Sequence, residues 1–273
     1  MTTIIVNILD ISRNKISFVG KNIPFKLCSP KLQNFLREIS SEILPDINYS
    51  IQITNLDEVS IVLDGSFSIN SILNAKIKSQ IKYLETCDGI LIDEDLHSIY
   101  NDKLITRYYN TFIQTDDNIR DHIYSILTKY TAQNLLLIGG ECYVYSKLLI
   151  AKNVDVFSDL QSICNDVTKN NKYANVNLVN YNNISLNKTT YYDFAVLNVS
   201  KTGLGKRLCS ELLNTNIKCF AYISCNERTF IIDSEILEPK FINMTRYIYK
   251  NSANSFSVTL NIFSQKSWFN PIA

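Results

Sequence analysis

In "CFAYISCNERTFIID" (219–233), Cys225 follows an apolar run with strand character and is followed at once by Asn226, Glu227 and Arg228. A thiol at the tip of a strand becomes a nucleophile when its thiolate is favoured, and a guanidinium such as that of Arg228, or a helix starting nearby, favours it. The competing reading is a structural thiol, because free cysteine is among the most commonly buried residue types. Three other turns have chemical interest. "IGGECYVYSK" (138–147) sets Gly139 beside Gly140; such a turn lets backbone approach a ligand, or simply bends tightly from strand to helix. "VDVFSD" (154–159) ends in Ser158 and Asp159; a carboxylate there grips a ribose hydroxyl pair, or caps the next helix. "NVSKTGLGKR" (198–207) puts Lys201, Lys206 and Arg207 around Gly203 and Gly205; it reads equally as a phosphate-facing loop and as a solvated basic one.

Two kinds of element must position these residues. Residues 1–110 read as an α+β module. "TTIIVNILDI" and "KISFVG" are strands joined as a hairpin across Ser12 to Lys15, and "YSIQITN", "VSIVLDG" and "DGILIDE" are further strands. "PKLQNFLREISSEIL" (30–44), with Leu32, Phe35, Leu36 and Ile39 at helical spacing, and "SINSILNAKIKSQIKYL" (68–84) read as helices. From residue 111 onward the pattern changes. A helix over 118–130 leads into strands "NLLLIGG", "VDVFS", "VNLVN", "DFAVLNV" and "CFAYISC", alternating with helices "VYSKLLIAK", "DLQSICNDVTKN" and "GKRLCSELLN". Wholly apolar strands joined by helices of ten to twelve residues signal βαβ units and a parallel sheet. "FINMTRYIYK" and "FSVTLNIF" read as a closing antiparallel hairpin. The expected fold is α/β, a Rossmann-like, mostly parallel sheet with a final hairpin over 111–273, the pattern of nucleotide-binding and methyltransferase-like folds, with ligands beyond the carboxyl ends of its strands.

Composition bounds the rest. With 273 residues, 46% of them hydrophobic, the chain can bury a large core. A net charge of +1 supplies no global field for a polyanion, so nucleic-acid binding has to rest on local basic patches. Seven cysteines without a CxxC pair point to a reducing, cytoplasmic-type compartment and away from a zinc site or disulfide framework. No apolar run is long enough to span a bilayer, and Met1 to Ser12 lacks the features of a secretory signal. The tail "SQKSWFNPIA" offers Trp268 and Phe269 to a protein partner, or folds back on its own domain.

The run "DFAVLNVSKTGLGKRLCSELLNTNIKCFAYISCNERTFIID" resembles the signature region of the RNA 5-methyluridine (uracil-C5) methyltransferases: a Gly-Leu pair at Gly203 and Leu204, then a strand ending in Ser224, Cys225 and Asn226, with Thr229 three residues beyond. Upstream, Phe112 and Gln114 resemble that family's Phe-x-Gln segment, and the resemblance covers roughly residues 88–263. It implies S-adenosylmethionine as cofactor, an RNA substrate (tRNA or rRNA), Cys225 as the nucleophile that adds to carbon 6 of uracil, Gln114 beside cofactor or base, and a flipped target base. Several family positions differ. Asn198 replaces the aspartate that meets the uracil edge; Glu141, Cys142 and Tyr143 stand in the glycine loop; Ser158 stands near the ribose acid; and Ser255 or Ser257 stands where a glutamate base belongs. The resemblance therefore implies either a degenerate, non-catalytic relative acting by RNA or protein binding, an active uracil methyltransferase, or another S-adenosylmethionine-dependent enzyme. Lys201, Lys206, Arg207 and Arg228 are its RNA-facing candidates.

Overall fold

A computed structural model describes residues 11–12, 15–19, 28–40, 47–65, 75–114, 116–250 and 257–268. The chain divides into two compact units. The first comprises the described residues of Met1–Asn110 and Gln114–Asp117; the second comprises those of Thr111–Ile113 and Asn118–Ala273.

The first unit contains strands β1 (Ile11–Ser12) and β2 (Lys15–Val19), helix α1 (Pro30–Glu38), strands β3 (Asn48–Ile53) and β4 (Val59–Leu63), helix α2 (Ala75–Gln80), and strands β5 (Ile81–Thr86), β6 (Gly89–Asp93), β7 (Leu96–Tyr100) and β8 (Lys103–Arg107). Strands β1 to β6 form one sheet in chain order, antiparallel except for the β4–β5 pair. Helix α1 starts as its sequence dictates: the Ser29 hydroxyl accepts from the Leu32 amide at 3.3 Å, and Pro30 occupies the first turn. Its Leu32, Phe35 and Leu36 pack with Ile51, Ile53, Val59 and Leu84 of the sheet.

Two expectations change in this unit. The segment 68–84 is not one helix: α2 ends at Gln80, and Ile81 to Thr86 pairs parallel to β4, with Ile81 and Tyr83 buried while Lys82 and Glu85 are partly exposed. Residues 68–74 of that segment, and most of the "TTIIVNILDI" strand, lie outside the described residues. The β7–β8 hairpin was not anticipated. Its two-residue turn, Asn101–Asp102, has positive φ at both positions (47° and 59°), which asparagine and aspartate tolerate best after glycine.

The second unit is built on helix α3 (Asp117–Leu127), strand β9 (Thr131–Gly139), α4 (Cys142–Leu148), β10 (Ile150–Ser158), α5 (Gln161–Asn170), β11 (Asn175–Leu178), β12 (Tyr191–Asn198), α6 (Gly205–Asn214), β13 (Asn216–Ser224), α7 (Glu227–Leu237), β14 (Phe241–Lys250) and β15 (Ser257–Gln265). Seven strands lie in the order β11-β10-β9-β12-β13-β15-β14. The first five run parallel, β15 is antiparallel to β13, and β14 is antiparallel to β15. Strand order reverses between β9 and β12, which is where such a sheet opens a crevice for ligands. Leu136, Ile138, Ala195, Leu197, Phe220 and Tyr222 of the central strands pack with Leu208, Leu212, Phe230 and Leu237 of α6 and α7. The helix expected over 144–152 is shorter, because Ile150 to Lys152 already pair with β9 as the start of β10. Helix α7, which the sequence reading left unassigned, starts at the Asn226 cap, whose side chain accepts from the Arg228 amide at 3.1 Å.

Candidate functional site

The chemistry-bearing residues of the second unit converge on the carboxyl edge of its sheet. Cys225 sits in the turn between β13 and α7, half-buried. Its neighbours in the motif hold that turn. The Ser224 hydroxyl donates to the Asn226 carbonyl at 3.1 Å, and the Thr229 hydroxyl donates to the same carbonyl at 3.1 Å. The Asn226 amide group donates to the Lys201 carbonyl at 3.0 Å, tying the basic loop to the cysteine turn. Burial pushes the Cys225 thiol above its ordinary value, and the positive charge of Lys201 opposes part of that rise. The positive charge that acts on the sulfur is that of Lys201, and Arg228 is exposed on the first turn of α7.

Gly203 and Gly205 have positive φ (78° and 71°), which lets the loop fold back onto α7. There the buried Asp233 carboxylate accepts from the Leu204 amide at 2.8 Å, the Gly205 amide at 3.2 Å and the Tyr222 hydroxyl at 2.8 Å. The amino end of α6 is thus already capped by an anion from within the protein. The Leu204 and Gly205 amides are therefore committed to Asp233. Lys201 and Lys206 are exposed, while Arg207 pairs with Glu211 at 3.1 Å and donates to the Ile184 carbonyl. No local signal marks Asp233 in the sequence, since it lies in mid-helix and meets α6 only through the fold.

At the β9–β12 reversal the two strand ends are bonded to each other. The Gly140 amide donates to the Asn198 carbonyl at 2.5 Å, and a Cβ at Gly139 would lie 2.1 Å from that same oxygen. The two glycines serve the approach of two strand ends. Beyond them Glu141, in left-handed conformation at φ 56° and only 2% exposed, accepts from the hydroxyls of Tyr124 (2.8 Å) and Tyr145 (3.0 Å) and from the side-chain amide of Asn198 (2.9 Å). Three donors around one carboxylate are what a buried acid needs. Asn198, the candidate for meeting a base edge, is buried, and its side-chain NH2 group is committed to Glu141. Tyr143, also buried, donates to the Phe112 carbonyl at 3.1 Å, and the Phe112 ring stands 2.9 Å from where a Cβ of Gly140 would be.

Further along the edge the sheet is open. A cleft of about 590 Å³ is lined by residues that include Asp159, Asn180, Tyr181, Asn182, Ser200 and Thr202, which follow β10, β11 and β12. Asp159 is exposed and does not cap α5, whose cap position is Leu160. Ser158 is fully buried, and its hydroxyl accepts from the Leu160 amide at 3.3 Å within the turn. The Tyr181–Asn183 turn was not anticipated, although Asn180, Asn182 and Asn183 were a legible turn signal. Gln114 belongs to the first unit, where its side-chain oxygen accepts from the Asp116 amide at 3.3 Å. Of the two serines considered for the base position, Ser257 opens β15 half-buried, and Ser255 lies outside the described residues, as does the end of the tail that carries Phe269.

Among solved structures, the chain is similar to the tRNA (uracil-54, C5)-methyltransferase of Pyrococcus abyssi in complex with S-adenosyl-L-homocysteine, with a TM-score of 0.65 at 14% identity over 93% of this chain and 76% of that one. It is also similar to PH0793 of Pyrococcus horikoshii, a candidate transferase, with a TM-score of 0.50 at 9% identity over 70% of this chain and 80% of that one. The chain has a Rossmann-like methyltransferase fold. No protein-family model matches the chain, and no curated protein matches it by sequence.

A fold of this kind holds S-adenosylmethionine in other proteins. In this chain Asp159 lines the open cleft, and Glu141, Tyr143 and the half-exposed Phe112 ring stand at the β9–β12 edge. Among the described residues there is no cluster of metal-ligating side chains, and no helix is long and apolar enough to cross a membrane.

Proposed function

We propose that this chain is a methyltransferase-like RNA-binding protein that holds RNA beside Cys225 without transferring a methyl group. The observation that carries the reading is the buried Glu141 in the turn after β9, bonded to Asn198, Tyr124 and Tyr145 where the donor's arm would need space. Group transfer requires the donor's reactive end to be held against the acceptor in an attack geometry, and that requirement fails when the donor's arm has no place. The raised Cys225 thiol supports the same reading, because a protonated thiol is a poor nucleophile. RNA is favoured as ligand by the exposed cations Lys201, Lys206 and Arg228 on the loops that flank the cysteine turn.

A second reading, an active uracil-C5 methyltransferase with Cys225 as nucleophile, has one observation in its favour: the sulfur is half-buried at an intact Ser-Cys-Asn turn with Lys201 acting on it. Single-stranded and tRNA-like RNAs carrying 5-fluorouracil separate the two. The proposed reading expects retained RNA that releases fully on denaturation. A denaturation-resistant adduct formed by the natural chain and not by Cys225→Ala would establish the second, and absence of RNA retention at low salt would overturn the first.

A further inference from the structure

We propose that the outer edge of β6, the last strand of the first unit's six-stranded sheet, docks a basic, extended segment of a partner protein. Strand β6 pairs with β5 on one side and, among the described residues, with no strand on the other. The Glu94 amide donates to the Lys82 carbonyl at 2.8 Å, and Asp93 stands opposite Tyr83. Successive residues of an antiparallel strand bond to opposite sides, so the Asp93 amide and carbonyl point away from β5. The register shift in this pair leaves Leu91 as the extra residue of a bulge. Ile90 is 50% exposed and Leu91 48%, so the edge presents two adjacent aliphatic side chains beside open backbone groups. That combination accepts a further strand, with main-chain hydrogen bonds for affinity and side-chain contacts for selectivity.

Charge selects the occupant. From residue 85 to 95 the sequence holds five carboxylates, Glu85, Asp88, Asp93, Glu94 and Asp95, and no lysine or arginine. In a chain of net charge +1 this is a local field. The Cys87 amide donates to the Gly65 carbonyl at 3.4 Å, which brings the exposed Asp64 beside the β5–β6 turn. Glu94 is answered by Lys82 at 2.8 Å, whereas Asp64, Asp88 and Asp93 are exposed with no cationic partner among the described residues. Asp64 and Asp93 accept hydrogen bonds from Asn48 and Tyr108, which leave their charges unneutralised. The turn is held in place, because the Thr86 hydroxyl donates to the Gly89 carbonyl at 3.3 Å and accepts from the Asp88 amide at 3.1 Å. Lysine or arginine side chains on a docked strand would meet the free carboxylates while its apolar residues cover Ile90 and Leu91. The same field repels phosphates, which distinguishes this edge chemically from the basic rim around Cys225. Its role does not rest on the binding of RNA.

Fluorescence anisotropy on the full chain tests the docking with a short labelled peptide of alternating lysine and valine, capped at both ends. That peptide should bind, and its glutamate–valine counterpart should not. Leu91→Ser, and separately the double variant Asp88→Asn with Asp93→Asn, should each weaken it about tenfold, the double variant also flattening its salt dependence. Methylating alternate peptide amides should weaken it about tenfold, because the edge hydrogen bonds are then lost. The three substituted positions are exposed, and an unchanged melting temperature checks that each variant keeps the fold. No peptide binding at millimolar concentration, equal binding of the methylated peptide, or equal binding by Leu91→Ser would each overturn the proposal. RNA retention should be the same for Leu91→Ser as for the natural chain; its loss would assign the edge to nucleic acid instead. A dimer in sedimentation that Leu91→Ser abolishes would assign the edge to a second copy of the chain, and would equally overturn the proposal.

Discussion

Cys225 and Glu141 show how single side chains decide what this scaffold does. Cys225 is held above the ordinary thiol value mainly by burial, with Lys201 pulling the other way. Thiolate forms only as pH rises through the shifted value, so the rate of iodoacetamide alkylation at Cys225, followed in a Cys87→Ser background to remove the exposed thiol, should have its midpoint above the value of about 8.5 for free cysteine. Lys201→Ala removes the opposing charge and should move that midpoint higher still. A midpoint below 8 would mean an activated nucleophile and would favour methyl transfer. Glu141 is the acceptor for three buried donors, and Glu141→Ala removes that acceptor from two tyrosine hydroxyls and from the Asn198 amide, which keeps a 3.4 Å bond to the Tyr145 hydroxyl. At a cost of about 1 kcal/mol or more per orphaned group, the loss should be on the order of 3 kcal/mol by urea unfolding. A loss under about 1 kcal/mol would show that the edge is not locked by this carboxylate.

At the scale of elements, the loop before α6 separates two roles that glycine can have. Gly203 and Gly205 both carry positive φ, but a Cβ at Gly203 would stand 2.5 Å from an Asp233 oxygen and 2.9 Å from the Thr229 Cβ, whereas a Cβ at Gly205 meets nothing within 4 Å. Gly205→Ala should therefore cost only the left-handed backbone penalty, about 1 to 2 kcal/mol, while Gly203→Ala adds displacement of the Asp233 cap and should cost about 3 kcal/mol or more. Equal losses in urea unfolding would refute the cap geometry. The strands and helices of the second unit were legible because the periodicity is local: apolar runs such as Leu135 to Ile138 and Ala195 to Leu197 are buried on both faces of a parallel sheet. What misled lay where two patterns abut. Ile81 to Thr86 follows α2 without a break, and Ile150 follows α4 after a single residue, so neither segment has the glycine or proline that would mark the change.

For the molecule as a whole, the sequence made the sheet and its site edge readable but not the state of the crevice. The positions of Cys225, Asp159 and the Gly139–Gly140 turn follow from strand ends. That Glu141 turns inward to Asn198, and that Asp233 reaches across from α7 to cap α6, depends on long-range packing that no local pattern encodes. The consequence is a chain of net charge +1 whose attraction for RNA has to come from a short basic rim. Lys201, Lys206 and Arg228 are exposed on that rim; Arg207, also exposed, pairs with Glu211. Each phosphate contact with single-stranded RNA contributes about −0.7 to the slope of log K against log salt, so replacing all three rim cations by alanine should flatten that slope by about 2 and weaken binding across RNA sequences alike. Arg207→Ala should leave the slope nearly unchanged, because its charge is already answered by Glu211. If Arg207→Ala flattened the slope as much as the triple variant, the RNA path would run along the Ile184 side of α6, away from the cysteine turn, and the proposed placement of RNA beside Cys225 would fall.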